Sequence, residues 1–522
     1  MTAIANLIDV KGMPMSTAEE PKEGVPGGEF VDDSEELSSH STVFSRETFA
    51  GDGPGSAPSG GPARAESGDS IAQELRNVAA TLETEAPTDD APAANGLFPG
   101  QPHTLAEVGL SKAFLTDLAL KIMHYSGTPS AAQLMRRLGL GQNMVQQILG
   151  ALQEERLCEV MSQSDLFTGN YRYRLSERGI ARASEALERT RYAGPVPVTA
   201  EQYAEVMRAQ AAHKETVPPG RIKAILSDSV LAPDVADAVA RALYSGKTMM
   251  LYGPSGNGKT RIVESYAHSL EGGVLVPYAI YAYGQVIRVF DPSIHEPLEE
   301  LDDANATRDD ARLDRRWVLV RRPAVLLGSE IGPESLDLAY DPQARFYQAP
   351  PHVKAQGGVL VADDLGRQRT SPRELMTRWL ISVERGWDSL SLITGEKLTI
   401  PFDVQLLFAT NQPIEHLADD ALLRRILYKV EMPSPGQAEF AEILRQLCRQ
   451  RNVRTAEGAI ERVVARLYAQ EGEPPRAAYA RDLLQVVIEG AAYDEREPVL
   501  DDETFERAYR LFTSQRATPG QG

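Results

Sequence analysis

The residues most able to do chemistry stand in the pattern Gly253-x-x-x-x-Gly258-Lys259-Thr260, which follows an apolar run over 248–252. Glycines let the backbone N–H groups of such a loop curl around a phosphate, and the start of the next helix adds positive potential. Lys259 is expected to reach the β- and γ-phosphates of a nucleotide, and the Thr260 hydroxyl to ligate Mg²⁺. We therefore predict a phosphate-binding loop formed by Gly253, Pro254, Ser255, Gly256, Asn257, Gly258, Lys259 and Thr260.

Two adjacent carboxylates end a second apolar run, Gly357-Gly-Val-Leu-Val-Ala-Asp363-Asp364. The run predicts a buried strand that ends at the two acids. Asp363 is expected to hold Mg²⁺ through water, and Asp364 to polarise the water that attacks the γ-phosphate. Two acids at a strand end are a weak motif alone, and they gain their meaning from the loop upstream.

A polar residue also ends a third predicted strand, Val404-Gln-Leu-Leu-Phe-Ala-Thr-Asn411. Ligands of open α/β sheets bind at the carboxyl ends of the strands, so Asn411 is expected to position the hydrolytic water. Arg424 and Arg425 follow at the end of a short predicted helix. They form either a salt-bridged surface or a charge supplied to the γ-phosphate of a neighbouring subunit.

These residues act together only if a sheet brings the strand ends to one edge. From about residue 229 to 432 apolar strands alternate with helices, which predicts an α/β fold with a parallel sheet and helices on both faces. Residues 436–515 predict helices alone. We expect the nucleotide to bind between these two parts.

The ordered set of phosphate loop, acidic strand end, strand-ending Asn, arginine pair and C-terminal helices resembles the AAA+ ATPases, a P-loop NTPase family, over about residues 229–515. By that resemblance residues 253–260 are Walker A, Asp363 and Asp364 Walker B, and Asn411 sensor 1. Arg424 or Arg425 would be the arginine finger. The sensor 2 candidates in the lid are, in order of preference, Arg481 and Arg476. The resemblance implies an ATPase that uses ATP and Mg²⁺ and assembles with copies of itself into a ring, expected to be a hexamer.

A finer likeness concerns residues 389–400, where two alternating apolar halves flank Thr394-Gly395 and predict a β-hairpin. A hairpin just before sensor 1 is similar to that of the AAA+ group that contains MoxR-like proteins and magnesium chelatase subunits. Residues 357–367 and 406–411 are similar to bacterial AAA+ proteins described as ATPases with chaperone activity. The resemblance implies ATP-driven remodelling of a protein client.

One residue departs from the family pattern, because AAA+ proteins usually have Glu where this chain has Asp364. The shorter carboxylate ends about 1.5 Å further from the water, and errors near 1 Å cost roughly 10²-fold in rate. We therefore expect slow turnover, which the backbone at this position could offset. A switch that binds ATP and barely hydrolyses it is one alternative function.

Residues 104–192 predict a helix, a helix–turn–helix, a two-stranded wing and another helix, an order that resembles winged-helix domains. The predicted recognition helix begins at Gln142 and has amides that can read base edges, but no Arg or Lys in its first two turns. The plausible cationic cluster consists of Arg136, Arg137, Arg172 and Arg174. Docking to a protein and binding to DNA both stay open, so a DNA-directed ATPase or transcriptional regulator is the second alternative.

Charge and composition distinguish the first hundred residues from the rest of the chain. The 522 residues carry 54 Lys and Arg against 74 Asp and Glu, but residues 1–100 alone hold 5 basic and 18 acidic residues. This Gly-, Pro- and Ser-rich stretch predicts a disordered acidic tail over 1–102, with a helical pattern at 69–85. Breaks at Pro and Gly predict a linker with one helix over 193–228. The expected order is tail 1–102, winged helix 104–192, linker 193–228, α/β domain 229–435 and helical lid 436–515.

Two further absences in the sequence limit the class of protein. Cys158 and Cys448 are the only cysteines, which excludes a disulfide-stabilised fold and a cysteine-rich metal site. No run of about 18 apolar residues predicts a membrane span, and the first residues lack the basic start of a secretory signal. The sequence therefore predicts a cytoplasmic protein without membrane insertion.

Overall fold

The computed structural model describes residues 99–161, 171–214, 216–298, 313–469 and 474–514, all within one unit that spans residues 60–522. Nearly all of the predicted tail, including the helical pattern at 69–85, lies outside the described residues. The loop at 162–170, between the two strands of the predicted wing, also lies outside them.

The helices of the described residues are numbered in chain order. They are α1 Leu105–Val108, α2 Lys112–Ser126, α3 Ala131–Leu138, α4 Gln142–Glu154, α5 Glu177–Arg189, α6 Ala200–Ala212, α7 Pro219–Ser227, α8 Pro233–Ser245, α9 Lys259–His268, α10 Pro351–Lys354, α11 Pro372–Arg385, α12 Asp420–Leu423, α13 Gln437–Gln450, α14 Ala459–Tyr468, α15 Ala477–Tyr493 and α16 Asp502–Ser514.

The strands are numbered in the same way. They are β1 Cys158–Met161, β2 Arg172–Leu175, β3 Val198–Thr199, β4 Met249–Tyr252, β5 Gly273–Pro277, β6 Ala279–Ala282, β7 Gln285–Arg288, β8 Trp317–Arg321, β9 Ala324–Leu327, β10 Ala339–Asp341, β11 Phe346–Gln348, β12 Val359–Ala362, β13 Trp387–Ser391, β14 Lys397–Pro401, β15 Gln405–Ala409, β16 Tyr428–Glu431, β17 Arg454–Thr455 and β18 Val499–Leu500.

Five strands form an all-parallel sheet in the order β16-β4-β15-β12-β9. Every residue of β12 and β15 is buried, as expected for central strands covered by helices on both faces. The predicted parallel α/β sheet is therefore confirmed. Because all five strands run the same way, the carboxyl ends of β4, β12 and β15 meet at one edge.

The stretch between α9 and β12 differs from the predicted alternation of strands and helices. It is built mainly of strands: β5 pairs antiparallel with β8, and four others join a second sheet in the order β10-β11-β7-β6-β3. This sheet mixes parallel and antiparallel pairs. An apolar run does not reveal which distant strand it pairs with, so the second sheet was not foreseen.

The linker predicted for 193–228 has to be corrected, because much of it belongs to the folded core. β3 pairs with β6 of the second sheet, and the Val196 and Val198 side chains are fully buried. In α6, the buried Tyr203 ring stacks on Trp317 at 6.4 Å between ring centroids. Proline and glycine turn the chain here, but the apolar residues between them fill the sheet.

The N-terminal helical region, residues 104–189, packs on one face of this second sheet. The Phe114 ring lies 4.6 Å from the Tyr281 ring. Arg316 forms a buried ion pair with Asp314 at 2.7 Å, and its guanidinium also donates to the Val108 carbonyl. Helices and antiparallel strands follow one another in the predicted order in this region. Its assignment to the winged-helix domains stays a prediction.

The β-hairpin predicted at 389–400 is present as β13 and β14. One of its faces is buried, since Leu390 and Leu398 join the core of the second sheet. The tip is open: Ile393 is 71% exposed. At the base, the buried Asp388 carboxylate lies 2.8 Å from Nε2 of His352. The hairpin is thus anchored along one face and free at its tip.

The C-terminal helical region, residues 437–514, has a core of its own, centred on Phe440, Leu444, Leu484 and Phe505. Its helices α13 and α15 face the carboxyl edge of the parallel sheet across a cavity. Among the helices that the structure describes, none combines the length and the apolarity needed to cross a membrane.

Candidate nucleotide site

The predicted phosphate loop leads from β4 directly into α9, which is the strand–loop–helix context that the motif requires. Gly256 and Gly258 have φ of +85° and +87°, a region that residues with a side chain rarely adopt. No side chain caps the first N–H groups of α9. These groups are therefore available to an anion at the positive end of the helix.

Lys259 lies beneath this loop. Its ammonium donates to the carbonyl oxygens of Gly253 and Pro254, at 2.9 Å each. Burial lowers the pKa of Lys259 to about 8, although the nearby carboxylates of Asp364 and Asp363 oppose the shift. A buried ammonium held by two neutral carbonyls is ready to exchange them for phosphate oxygens.

Thr260 and Asp363 bring the second strand end to the loop. The Thr260 hydroxyl donates to both carboxylate oxygens of Asp363, at 2.9 and 3.0 Å. Hydroxyl and carboxylate oxygens are the ligands that Mg²⁺ prefers, and this ion usually keeps several waters and binds phosphate besides. The pair therefore fits a magnesium ion held jointly by protein and nucleotide.

Asp364 and Asn411 bring the third strand end to the same place. Nδ2 of Asn411 donates to Oδ1 of Asp364 at 2.5 Å. Asp364 has φ of +46°, in the left-handed region where Asp and Asn are enriched among non-glycine residues. The exposed Arg367 approaches the same carboxylate at 3.7 Å, a distance that contributes little in water.

A cavity of about 370 Å³ opens over these side chains, between the parallel sheet and the C-terminal helical region. Its polar lining includes Lys259, Thr260, Asp364 and Asn411. Its apolar lining includes Val230, Leu231, Ile443 and Leu447, and the amides of Gln446 and Gln450 also line it. Polar groups for phosphates and apolar groups for a base fit the chemistry of a nucleotide.

The apolar residues that line the cavity were not foreseen. Ile443, Leu447 and Gln450 recur at helical spacing on α13, so the sequence does show that they share a face. What that face meets depends on how the C-terminal helical region packs, and no local pattern gives this. Asp228, Ser229, Val230 and Leu231, between α7 and α8, line the cavity as well.

The four candidate arginines occupy two different places. Arg481 of α15 lines the cavity, and its Nε also contacts the Asp482 carboxylate at 3.0 Å. Arg476 precedes α15 and lies near enough to Lys259 to lower the pKa of that lysine. Arg424 and Arg425 are exposed at the end of α12 and are not among the residues that line the cavity.

The two arginines at the end of α12 differ in their contacts. Arg425 is held by the Glu384 carboxylate at 2.7 Å and donates to the Ala421 carbonyl. Within the described chain, the Arg424 guanidinium has no hydrogen-bond or ion-pair partner, and it is exposed. Arg424 is thus the one of the pair that is available to a group outside its own chain.

Among the described residues, no group of three or more His, Cys, Asp or Glu side chains is arranged to hold a metal ion. A Thr hydroxyl beside one carboxylate fits a cation that arrives with its phosphate ligands rather than a cation in an all-protein cage.

Comparison with known proteins gives a limited result. Residues 436–511 match the family model described as a domain of unknown function, DUF8689. No curated protein matches the chain significantly.

Two of the solved structures that resemble the chain come from bacteria. RuvB of Thermotoga maritima, the Holliday junction branch migration motor, is 12% identical with a TM-score of 0.32, over 54% of this chain and 70% of RuvB. NtrX of Brucella abortus is 13% identical with a TM-score of 0.32, over 66% of this chain and 67% of NtrX. TM-scores this low carry no information on function, so the interpretation of the site rests on its own geometry.

Proposed function

We propose that this protein is an AAA+-type ATPase that binds ATP with Mg²⁺ in the cavity above the phosphate loop and hydrolyses it. One observation carries the proposal: the contacts Thr260–Asp363 and Asp364–Asn411 join side chains from the ends of three parallel strands around the buried Lys259. Ion pairs that only stabilise a surface do not require this convergence beside a glycine loop.

Each residue has a distinct role in the proposed reaction. Lys259 and the first N–H groups of α9 bind the phosphates and keep the γ-phosphate in place. Asp364, oriented by Asn411, accepts a hydrogen bond from the attacking water and directs its lone pair at phosphorus. Thr260 and Asp363 would hold Mg²⁺, and the ion would supply positive charge beside the phosphate oxygens.

A neighbouring subunit would complete the site. The Arg424 guanidinium is exposed, without a partner in the described chain, and outside its own cavity. We propose that it reaches the γ-phosphate of the next copy in a ring, with six subunits as the expected number. Arg481 of α15 would contact the same nucleotide from within the chain.

The client is proposed to be a protein, as for chaperone-like AAA+ remodellers of the MoxR-like group. The hairpin β13–β14 supports this, because its buried face joins the second sheet and its exposed tip at Ile393 offers an apolar contact. The N-terminal helical region packs on the same sheet, which supports a role for this region in selecting the client.

DNA stays as a second candidate partner because the polar face of α4, with Gln142, Asn143, Gln146 and Gln147, is exposed. Titration with duplex DNA at several salt concentrations separates the two partners. An affinity that falls steeply with salt would favour DNA, since it reports phosphate contacts. Stimulation of ATP turnover by an unfolded protein, with no DNA binding, would favour the remodeller.

The test of the core proposal is phosphate release and binding of a fluorescent ATP analogue, with Mg²⁺ and with EDTA. Lys259→Ala is expected to abolish both, whereas Lys247→Ala, an exposed lysine at the opposite end of β4, is expected to leave both unchanged. Wild-type protein that fails to bind the analogue, or equal binding by Lys259→Ala, would overturn the proposal.

A further inference from the structure

The start of α15 lacks a cap of its own. Its N-cap residue is Arg476, and no side chain of the usual capping position accepts the first N–H groups of the helix. A helix start that is left without acceptors costs stability, and a helix of 17 residues carries a full positive terminus there. Something else in the molecule therefore has to satisfy these groups.

The phosphate loop supplies the missing acceptors. Ala477 N–H donates to Oδ1 of Asn257 at 3.1 Å, and Ala478 N–H donates to the Gly256 carbonyl at 2.9 Å. The contact is close: a Cβ on Gly256 would lie 2.9 Å from the Cβ of Ala478. The loop thus caps a helix that lies about 220 residues further along the chain.

Asn257 ties a third element to this contact. Its Nδ2 donates to the Met432 carbonyl, just after β16, at 3.3 Å, and the residue is only 6% exposed. A buried amide that gives one hydrogen bond and receives another has a fixed orientation. From its place in the loop, Asn257 thus joins the residue that follows β16 to the start of the C-terminal helix α15.

We infer that Asn257 is a positioning residue that couples the phosphate loop to the C-terminal helical region. The inference rests on the proposed function. Phosphate contacts are made by N–H groups of the loop, whereas the cap is made by the Gly256 carbonyl and the Asn257 side chain of the same loop. A change in the loop when phosphate arrives or leaves is therefore passed directly to the start of α15. Nucleotide state and lid position are linked by these two hydrogen bonds.

Amide hydrogen exchange of residues 474–484 in the full chain tests the inference. Asn257→Ala is expected to speed exchange at Ala477 roughly 5-fold, equivalent to about 1 kcal/mol, the usual loss for a helix cap. ADP with Mg²⁺ is expected to slow exchange at this helix start in the wild type. In Asn257→Ala most of this slowing is expected to be lost.

Two matched variants make the result specific. Asn257→Asp keeps the acceptor for Ala477 N–H but loses the donor to the Met432 carbonyl, so exchange at that amide is expected to lie between wild type and Asn257→Ala. Gln437→Ala removes an exposed amide of α13 that has no partner in the described chain, and it is expected to leave exchange at Ala477 unchanged. Exchange within α2, far from the loop, reports general destabilisation.

The outcomes separate the two proposals. Wild type that does not bind ADP or ATP contradicts the proposed function. Wild type that binds nucleotide, while Asn257→Ala exchanges at Ala477 like wild type, overturns the coupling and leaves the ATPase proposal intact. Should Asn257→Ala not fold, wild-type exchange that does not respond to nucleotide at this helix start would also overturn the coupling.

Discussion

Nδ2 of Asn411 and Oδ1 of Asp364 are 2.5 Å apart, which joins the ends of β15 and β12 over the phosphate loop. The amide donates to the carboxylate, so the carboxylate is held in one orientation before any substrate is present. Preorganised polar groups of this kind reduce the rearrangement needed at the moment of reaction.

Removal of this contact is expected to affect turnover far more than binding. Asn411→Ala should lower kcat roughly 10²-fold, because general-base catalysis contributes about 10²–10⁴-fold when the base is correctly positioned. The affinity for a fluorescent ATP analogue should change less than about 3-fold, because the side chain of Asn411 donates to Asp364 and does not belong to the proposed phosphate loop. Parallel loss of affinity and kcat would show that Asn411 binds substrate instead.

The variant Asp364→Glu separates two effects: the length of the side chain and its compatibility with the left-handed backbone at this position. The longer side chain brings the carboxylate about 1.5 Å closer to the water, so kcat should rise roughly 10-fold or more. The left-handed backbone at φ +46° suits Asp better than Glu, so the melting temperature should fall by about 2 °C. Steady-state kinetics and thermal unfolding measure the two effects. A Glu variant with unchanged or lower kcat would contradict slow turnover caused by Asp364.

Arg424 and Arg425 provide a matched pair. Turnover per subunit should rise with protein concentration in wild type, as subunits complete one another's sites. Arg424→Ala should abolish that rise and lower kcat about 10³-fold, the usual range for an arginine supplied in trans. Arg425→Ala breaks an exposed pair with Glu384, worth at most about 1 kcal/mol, and should retain most activity.

The reverse pattern of these two variants would assign the trans charge to Arg425. Turnover per subunit that is the same at all concentrations, with both variants fully active, would contradict a shared site altogether. Equilibrium sedimentation with and without nucleotide provides the control for assembly.

The pH profile should report Lys259. Its pKa of about 8 in the free protein means that the ammonium loses its proton as pH rises through 8, and with it the charge that attracts phosphate. kcat/KM is expected to fall on the alkaline side with an apparent pKa near 8, because this parameter reports the free enzyme. Lys259→Arg should have a lower rate and a flat profile between pH 7 and about 9, because Arg does not titrate there. An alkaline limb that survives in Lys259→Arg would assign the titration to another group.

The lowered pKa of Lys259 also makes the free energy of unfolding depend on pH. Its folded pKa lies below the ordinary value of 10.5, so the unfolded chain binds more protons between about pH 8 and 10.5. Stability contributed by this group therefore rises with pH across that window. Thermal unfolding at several pH values, compared between wild type and Lys259→Met, isolates the contribution of Lys259 to the pH dependence of stability.

Local patterns predicted the positions of the candidate residues better than they predicted the surroundings of these residues. The loop at 253–260, Asp363 and Asn411 each end or follow a strand whose apolar run is visible in sequence, and parallel pairing then brings them together. The hairpin was predictable for a similar reason, since its alternation and turn are local.

Features that depend on distant contacts were missed. β3 has only two residues, too few for a period, and its partner β6 lies about 80 residues away. The role of Asn257 was hidden as well, because the loop pattern leaves that position open and its partner Ala477 lies in another part of the fold. Sequence spacing specifies which residues can bind phosphate, whereas packing specifies what else they touch.

The buried pair Arg316–Asp314, with its hydrogen bond to Val108, has a consequence for anyone who wishes to exchange parts of this protein. Deletion of residues 104–189 would leave a guanidinium without its carbonyl acceptor and uncover the Tyr281 face of the second sheet. A shortened chain would therefore tend to aggregate, and a chimera that carries a foreign N-terminal domain would need a matching surface. Residues 104–189 and the second sheet are therefore expected to be exchangeable only as one piece.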